Sequence, residues 1–165
     1  GPMIRRLTAV AAAAGALLAL TGCTPTISVQ PAPAATDPAC AALIVRLPAT
    51  IGPLEKRETD AQGTAAWGDP EAVQLRCGVT PPGPTTDPCY TVSDVDWILA
   101  DAGTGADARE VITTFGRTPA TQVVVDPKRA SVNDVLPTIS DAVVAAIPTA
   151  TRHCTASAPT PSATP

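Results

Sequence analysis

The sequence predicts an α+β domain of two layers: a four-stranded, mainly antiparallel sheet with two helices packed on one face, stapled by two disulfides. Three observations predict it. Apolar residues recur at helical spacing twice, at Cys40, Leu43, Ile44 and Leu47 and again from Val135 to Ile147. Between these stretches lie alternating runs joined mostly by short connections, which favour a meander. Four cysteines, Cys40, Cys77, Cys89 and Cys154, punctuate a chain that carries an export signal, and an oxidising destination pairs them.

The export signal comes first in the chain. Gly1-Pro2 ahead of Met3 reads as an expression scar and is set aside. Arg5 and Arg6 precede an uncharged run from Leu7 to Leu20 that ends in Leu20-Thr21-Gly22-Cys23. A basic start, an apolar run of that length and small residues before the cut make residues 1–22 a signal peptide. The run is too short for a transmembrane helix, which needs about 20 apolar residues. Its last four positions resemble the lipobox of bacterial lipoproteins, a resemblance that implies a diacylglycerol on the Cys23 thiol and removal of everything before it. Residues 24–36, rich in Pro, Ala and Thr, show neither helical nor strand period. With Cys23 they read as a disordered, semi-extended tether, about 40 Å long if polyproline-like.

The folded body is expected over 37–154. Asp37-Pro38 supplies a cap and a first-turn proline, and Pro48 stops the helix they open. Polar residues from 52 to 70, ending in Trp67-Gly68-Asp69-Pro70, read as a loop and a tight turn. Val73, Leu75, Cys77 and Val79 alternate as a half-buried strand. Cys77 then faces the same core as Cys40 on the helix, so Cys40–Cys77 is favoured among three connectivities and leaves Cys89 to pair with Cys154. Tyr90 to Leu99 reads as a second strand, with Val95, Trp97 and Leu99 on one face and Asp94 and Asp96 on the other. Glu110 to Phe115 and Thr121 to Val125 make a third and a fourth around the loop Gly116-Arg117-Thr118-Pro119. The second helix has two candidate starts, Ser131 with Asp134 as an imperfect capping box, or Pro137; Pro148 ends it. Residues 155–165 are Thr, Ala, Ser and Pro only and read as a disordered tail.

Composition narrows function more than it names it. The formal charge of −4 becomes −6, 9 basic against 15 acidic residues, once Arg5 and Arg6 leave with the signal. That balance argues against nucleic acid and against electrostatic adhesion to anionic lipid, so attachment should rest on acyl chains such as palmitate. One Phe, one Tyr and two Trp make a core of small aliphatics, which cross-links would help.

Candidate chemistry is thin. Asp94 and Asp96 on one strand face could bind a cation or share acid–base work, and a glycosidase would need a cleft between them. As a bland alternative they are a solvated sheet face. Arg117 could hold an anion or serve as a turn ion pair. Trp97 follows the core alternation, whereas Trp67 beside a turn is the better candidate to stack on a sugar. His153 is the lone histidine, next to Cys154, and no Cys-x-x-Cys or His-x-x-x-His spacing supports a metal; no metal or cofactor is expected. No P-loop, dinucleotide fingerprint or Gly-x-Ser-x-Gly elbow is present, so an enzyme is not expected.

The lipobox, Cys40-Ala41-Ala42-Leu43, Trp67-Gly68-Asp69-Pro70, Leu75-Arg76-Cys77-Gly78-Val79, Val95-Asp96-Trp97 and Thr114-Phe115-Gly116-Arg117 follow one another in an order that resembles the actinobacterial lipoproteins of the domain of unknown function 3515 family. The resemblance spans roughly residues 38–148 and implies a lipoprotein of the cell envelope, with no catalytic residues to carry over. The expected function is a lipid-anchored, non-catalytic domain on the outer face of the cell membrane that engages an envelope protein. The alternative is a lipoprotein binding a glycan or small anion through Trp67, Asp94, Asp96 and Arg117. An envelope hydrolase comes third.

Overall fold

The computed structural model describes residues 22–100 and 103–155. The expected signal peptide up to Thr21 and the expected tail from Ala156 lie outside the described residues. The first helix, α1 (Pro38–Ile44), opens as its residues dictate: the Asp37 carboxylate accepts from the Ala39 N–H at 2.9 Å and Pro38 sits in the first turn. Then come β1 (Thr50–Ile51), β2 (Leu54–Arg57), β3 (Thr64–Trp67), β4 (Val73–Val79), β5 (Cys89–Val92), β6 (Val95–Ala100), β7 (Glu110–Thr114) and β8 (Ala120–Val125). The second helix, α2 (Val132–Ala146), follows, with Ser131 as its cap and Pro137 inside it. Of the two possible starts, the capping serine prevails.

The sheet therefore has eight strands, not four, in the order β1-β2-β3-β4-β8-β7-β6-β5, and all its neighbours are antiparallel. The expected count fails for two physical reasons. Strands β1 to β3 are short and do not alternate: β2 reads Leu-Glu-Lys-Arg, and β3, Thr-Ala-Ala-Trp, is buried at every position. A strand sandwiched on both faces carries no period to detect. The stretch 90–99 is a hairpin rather than one strand, because Ser93 and Asp94 adopt φ of 45° and 64° and turn the chain in two residues.

One sheet face carries the core. Trp67, Val73, Leu75, Cys77, Trp97, Ile112, Val123 and Val125 meet Cys40 and Leu43 of α1 and Val135, Ile139 and Val143 of α2. The two disulfides are Cys40–Cys77, within this core, and Cys89–Cys154, which ties β5 to the chain beyond α2. Strand β4 does not alternate to its end. A bulge at Gly78, φ 94°, turns Val79 to the opposite face, where it packs with Ala32 and Ala120.

That opposite face receives the segment expected to be a disordered tether, and this expectation is corrected too. Ile27 bridges Thr59 as a short parallel contact, donating to the Glu58 carbonyl at 2.8 Å, and the Ala34 N–H donates to the Gly78 carbonyl at 2.9 Å. A side chain at Gly78 would overlap the Ala34 backbone, so the close approach needs glycine there. Val29, Ala32 and Ala35 are buried. Pro- and Ala-rich composition hides a surface strap that is held to the body by buried Val29, Ala32 and Ala35, with Ile27 half-buried.

Candidate functional site

The expected binding residues do not come together. Trp67 is fully buried, its Nε1–H donating to the Pro48 carbonyl at 3.0 Å, so it offers no surface for a sugar. Trp97 is buried as its alternation requires, and donates to Ser140 Oγ at 2.9 Å. Asp94 lies in the β5–β6 turn, and Asp96 is 6 % exposed on β6, so the two carboxylates share no strand face. The Asp96 carboxylate accepts from Thr91 Oγ1 at 2.6 Å and from the Cys154 N–H at 2.9 Å, with His153 Nδ1 at 3.4 Å. It pins the C-terminal segment rather than a ligand. Arg117 is 4 % exposed and donates to the carbonyls of Ile147 and Asp94. Trp67, Trp97, Asp96 and Arg117 thus each have a structural partner, whereas the exposed Asp94 contributes only its backbone carbonyl.

Cys89, Asp96 and Cys154 present ligand atoms within 4.8 Å of one another. With both sulfurs joined in a disulfide, the thiolates that a metal would require are not formed. Cys23 differs from the other four cysteines: it is exposed and unpaired.

Directly after Cys23 the chain is gripped. Buried Arg57 donates through one guanidinium nitrogen to the Pro25 carbonyl at 2.8 Å and through the other to the Gly68 carbonyl at 2.7 Å, with Asp69 at 3.4 Å. Arg57 sits in a charged run with no distinguishing spacing, and nothing in the sequence separates it from its exposed neighbours Glu55 and Lys56. Further along, the Asp60 carboxylate accepts from the Val29 N–H at 2.9 Å. This bond, then one from Ser28, holds the Asp60 carboxyl below the ordinary value of 3.8. A lowered pKa means the docked strap favours the ionised acid. Its contribution is present above the unfolded value of 3.8 and is lost as pH falls through the lower folded value. Asp60→Ala is therefore expected to speed Val29 amide exchange roughly tenfold at neutral pH and to abolish the acid release expected of the parent chain. An unchanged exchange rate would show that the strap is held without this carboxylate.

Several grooves open on the described surface, three of them sizeable. One of about 470 Å³ lies beside Thr24, Arg57 and Asp69; one of about 750 Å³ lies between the 84–88 loop and the Cys89–Cys154 disulfide. The third, about 610 Å³, runs between β5–β7 and the start of α2. None is lined by Trp67, Asp94, Asp96 or Arg117. Sequence reading missed the third groove because Leu99 and Ile112, which line it, share the alternation of core residues.

Compared with protein-family models, residues 4–151 match DUF3515, described as a protein of unknown function. Neither the curated proteins nor the solved structures contain a match to the chain.

Proposed function

The chain belongs to the DUF3515 family, which has no assigned activity, and from that premise we propose that it is a lipid-anchored extracytoplasmic protein serving as a non-catalytic interaction module of the cell envelope. The observation that carries this reading is the inequality of its cysteines. Four are joined in disulfides, as an oxidising compartment favours, while Cys23, the one at the lipobox position, stays exposed and unpaired. No helix among the described residues is long and apolar enough to cross a membrane, so attachment through this thiol rests on acyl chains. The non-catalytic part is supported by Asp96 and Arg117, whose polar groups hold backbone rather than face a cleft. A glycan-stacking role loses its best residue with the burial of Trp67.

The docked strap changes how such an anchor works. Only Thr24 separates Cys23 from the gripped Pro25, a reach of about 7 Å at most instead of 40. The domain then sits against the headgroups, with its β2 side toward the bilayer. The test is expression of the full chain, with and without Cys23→Ser, in a bacterium that processes lipoproteins. Mass spectrometry of the N-terminal peptide is expected to find a diacylglyceryl group on Cys23. The variant should leave the detergent phase on partitioning, at least about tenfold depleted relative to the parent, since two acyl chains anchor and none does not. Mature parent protein without acyl mass at Cys23 would overturn the reading.

A further inference from the structure

Resting on the reading of an interaction module, we propose that β5 is its docking edge, and that the partner is an extended apolar peptide segment carrying a Lys or Arg side chain. Strand β5 ends the sheet. The Leu99 N–H donates to the Pro88 carbonyl at 3.0 Å, which sets the phase of the β5–β6 ladder: Tyr90 and Val92 exchange bonds with Trp97 and Val95. The N–H and C=O groups of Cys89 and Thr91 therefore point outward, and among the described residues no other backbone group meets them. An open edge of this kind pairs with an added strand through its main chain.

The groove of about 610 Å³ adjoins this edge on the helix face, with Tyr90 and Val92 as its near wall and Leu99 and Ile112 as its floor. Alternate side chains of a ninth strand would project toward it, and an apolar floor selects apolar ones. Charge supplies the second criterion. The two cations at the rim are already engaged: Lys128 Nζ donates to the Ala106 carbonyl at 2.9 Å, and Arg129 pairs with Asp126 at 3.7 Å. The carboxylates of Glu110 and Asp134, also at the rim, have no hydrogen bond or ion pair among the described residues. A basic side chain on the incoming strand complements them. The edge is also well placed for a partner. Six strand spacings of about 4.8 Å separate β5 from β2, which puts it about 29 Å along the sheet from the gripped Pro25.

Random decapeptides displayed on phage, selected against the immobilised full chain, test this, with amide hydrogen exchange to locate the bound peptide. Enriched peptides are expected to alternate apolar residues and to include Lys or Arg. Their binding should slow exchange at Cys89 and Thr91 by at least about tenfold. Glu110→Lys should weaken them by about tenfold, and replacing the peptide's basic residue with Glu should restore affinity for that variant. Failure to enrich, binding that leaves both amides unprotected, or indifference to the charge reversal would overturn the proposal. Acylation of Cys23 is scored separately, so loss of the anchor and loss of the edge are distinguishable results.

Discussion

Arg117→Ala is expected to lower the unfolding free energy by about 3–4 kcal/mol, read from urea denaturation of the disulfide-intact protein. The side chain is 4 % exposed and clamps two distant carbonyls, Ile147 at the end of α2 and Asp94 in the β5–β6 turn. Truncation leaves the buried Ile147 carbonyl without a donor, at about 1–3 kcal/mol, releases the part-buried hold on the Asp94 carbonyl in an exposed turn, and opens a cavity. The α2 C-terminus also loses a cation at the negative end of its dipole. Against these stands the desolvation of a guanidinium that has no carboxylate partner and whose Nε makes no hydrogen bond, a cost the variant avoids. The net is positive because the orphaned Ile147 carbonyl, the lost hold on the β5–β6 turn and the cavity together outweigh one relieved charge. Arg117→Met tests the balance: it fills the volume and removes the charge, and it should recover about 1 kcal/mol of the loss. An alanine variant within 0.5 kcal/mol of the parent, on the order of a surface substitution, would mean the clamp is idle.

This clamp shows where sequence reading reaches its limit. Arg117 sits in a turn as expected, but the turn is packed under the end of α2, a contact thirty residues away that no local pattern encodes. Helix α1, the β4 alternation up to Cys77 and the Cys40–Cys77 pairing were legible because each depends on a period that survives in one dimension. Strands β1 to β3 were not, since burial on both faces or a run of charges erases the period that marks a strand. The strap at 25–36 was hidden differently. Its proline content describes stiffness, and whether a stiff segment floats or lies down depends on the surface beneath it, here Gly63 and Gly78. Asp94 and Asp96 misled for a related reason: two residues apart on a strand means one face, but two residues across a turn means nothing of the kind.

The two disulfides are expected to be unequal, and loop length is not what separates them. They span 37 and 65 residues. Chain entropy assigns about 4 kcal/mol to either and favours the longer by only about 0.5 kcal/mol. Burial reverses that order. Cys40 and Cys77 are both 0 % exposed and join α1 to the middle of the sheet, so replacing both with alanine also leaves voids in the core. Helix α1 has seven residues, too few to persist without an attachment. Cys40→Ala with Cys77→Ala should therefore cost about 5 kcal/mol, the lower end of what a whole domain possesses, and leave α1 unprotected in amide exchange. Cys89→Ala with Cys154→Ala should cost about 3 kcal/mol, because the segment it releases keeps its own holds, the Thr151 N–H on the Gly116 carbonyl and the Cys154-position N–H on Asp96. Mild dithiol treatment of the native protein should open the second bond first, since Cys154 is half-buried and the core pair is closed to reagent. If instead the Cys89–Cys154 pair proves the costlier loss, the C-terminal segment and not α1 is what holds the sheet together, and the packing argument for the core bond fails.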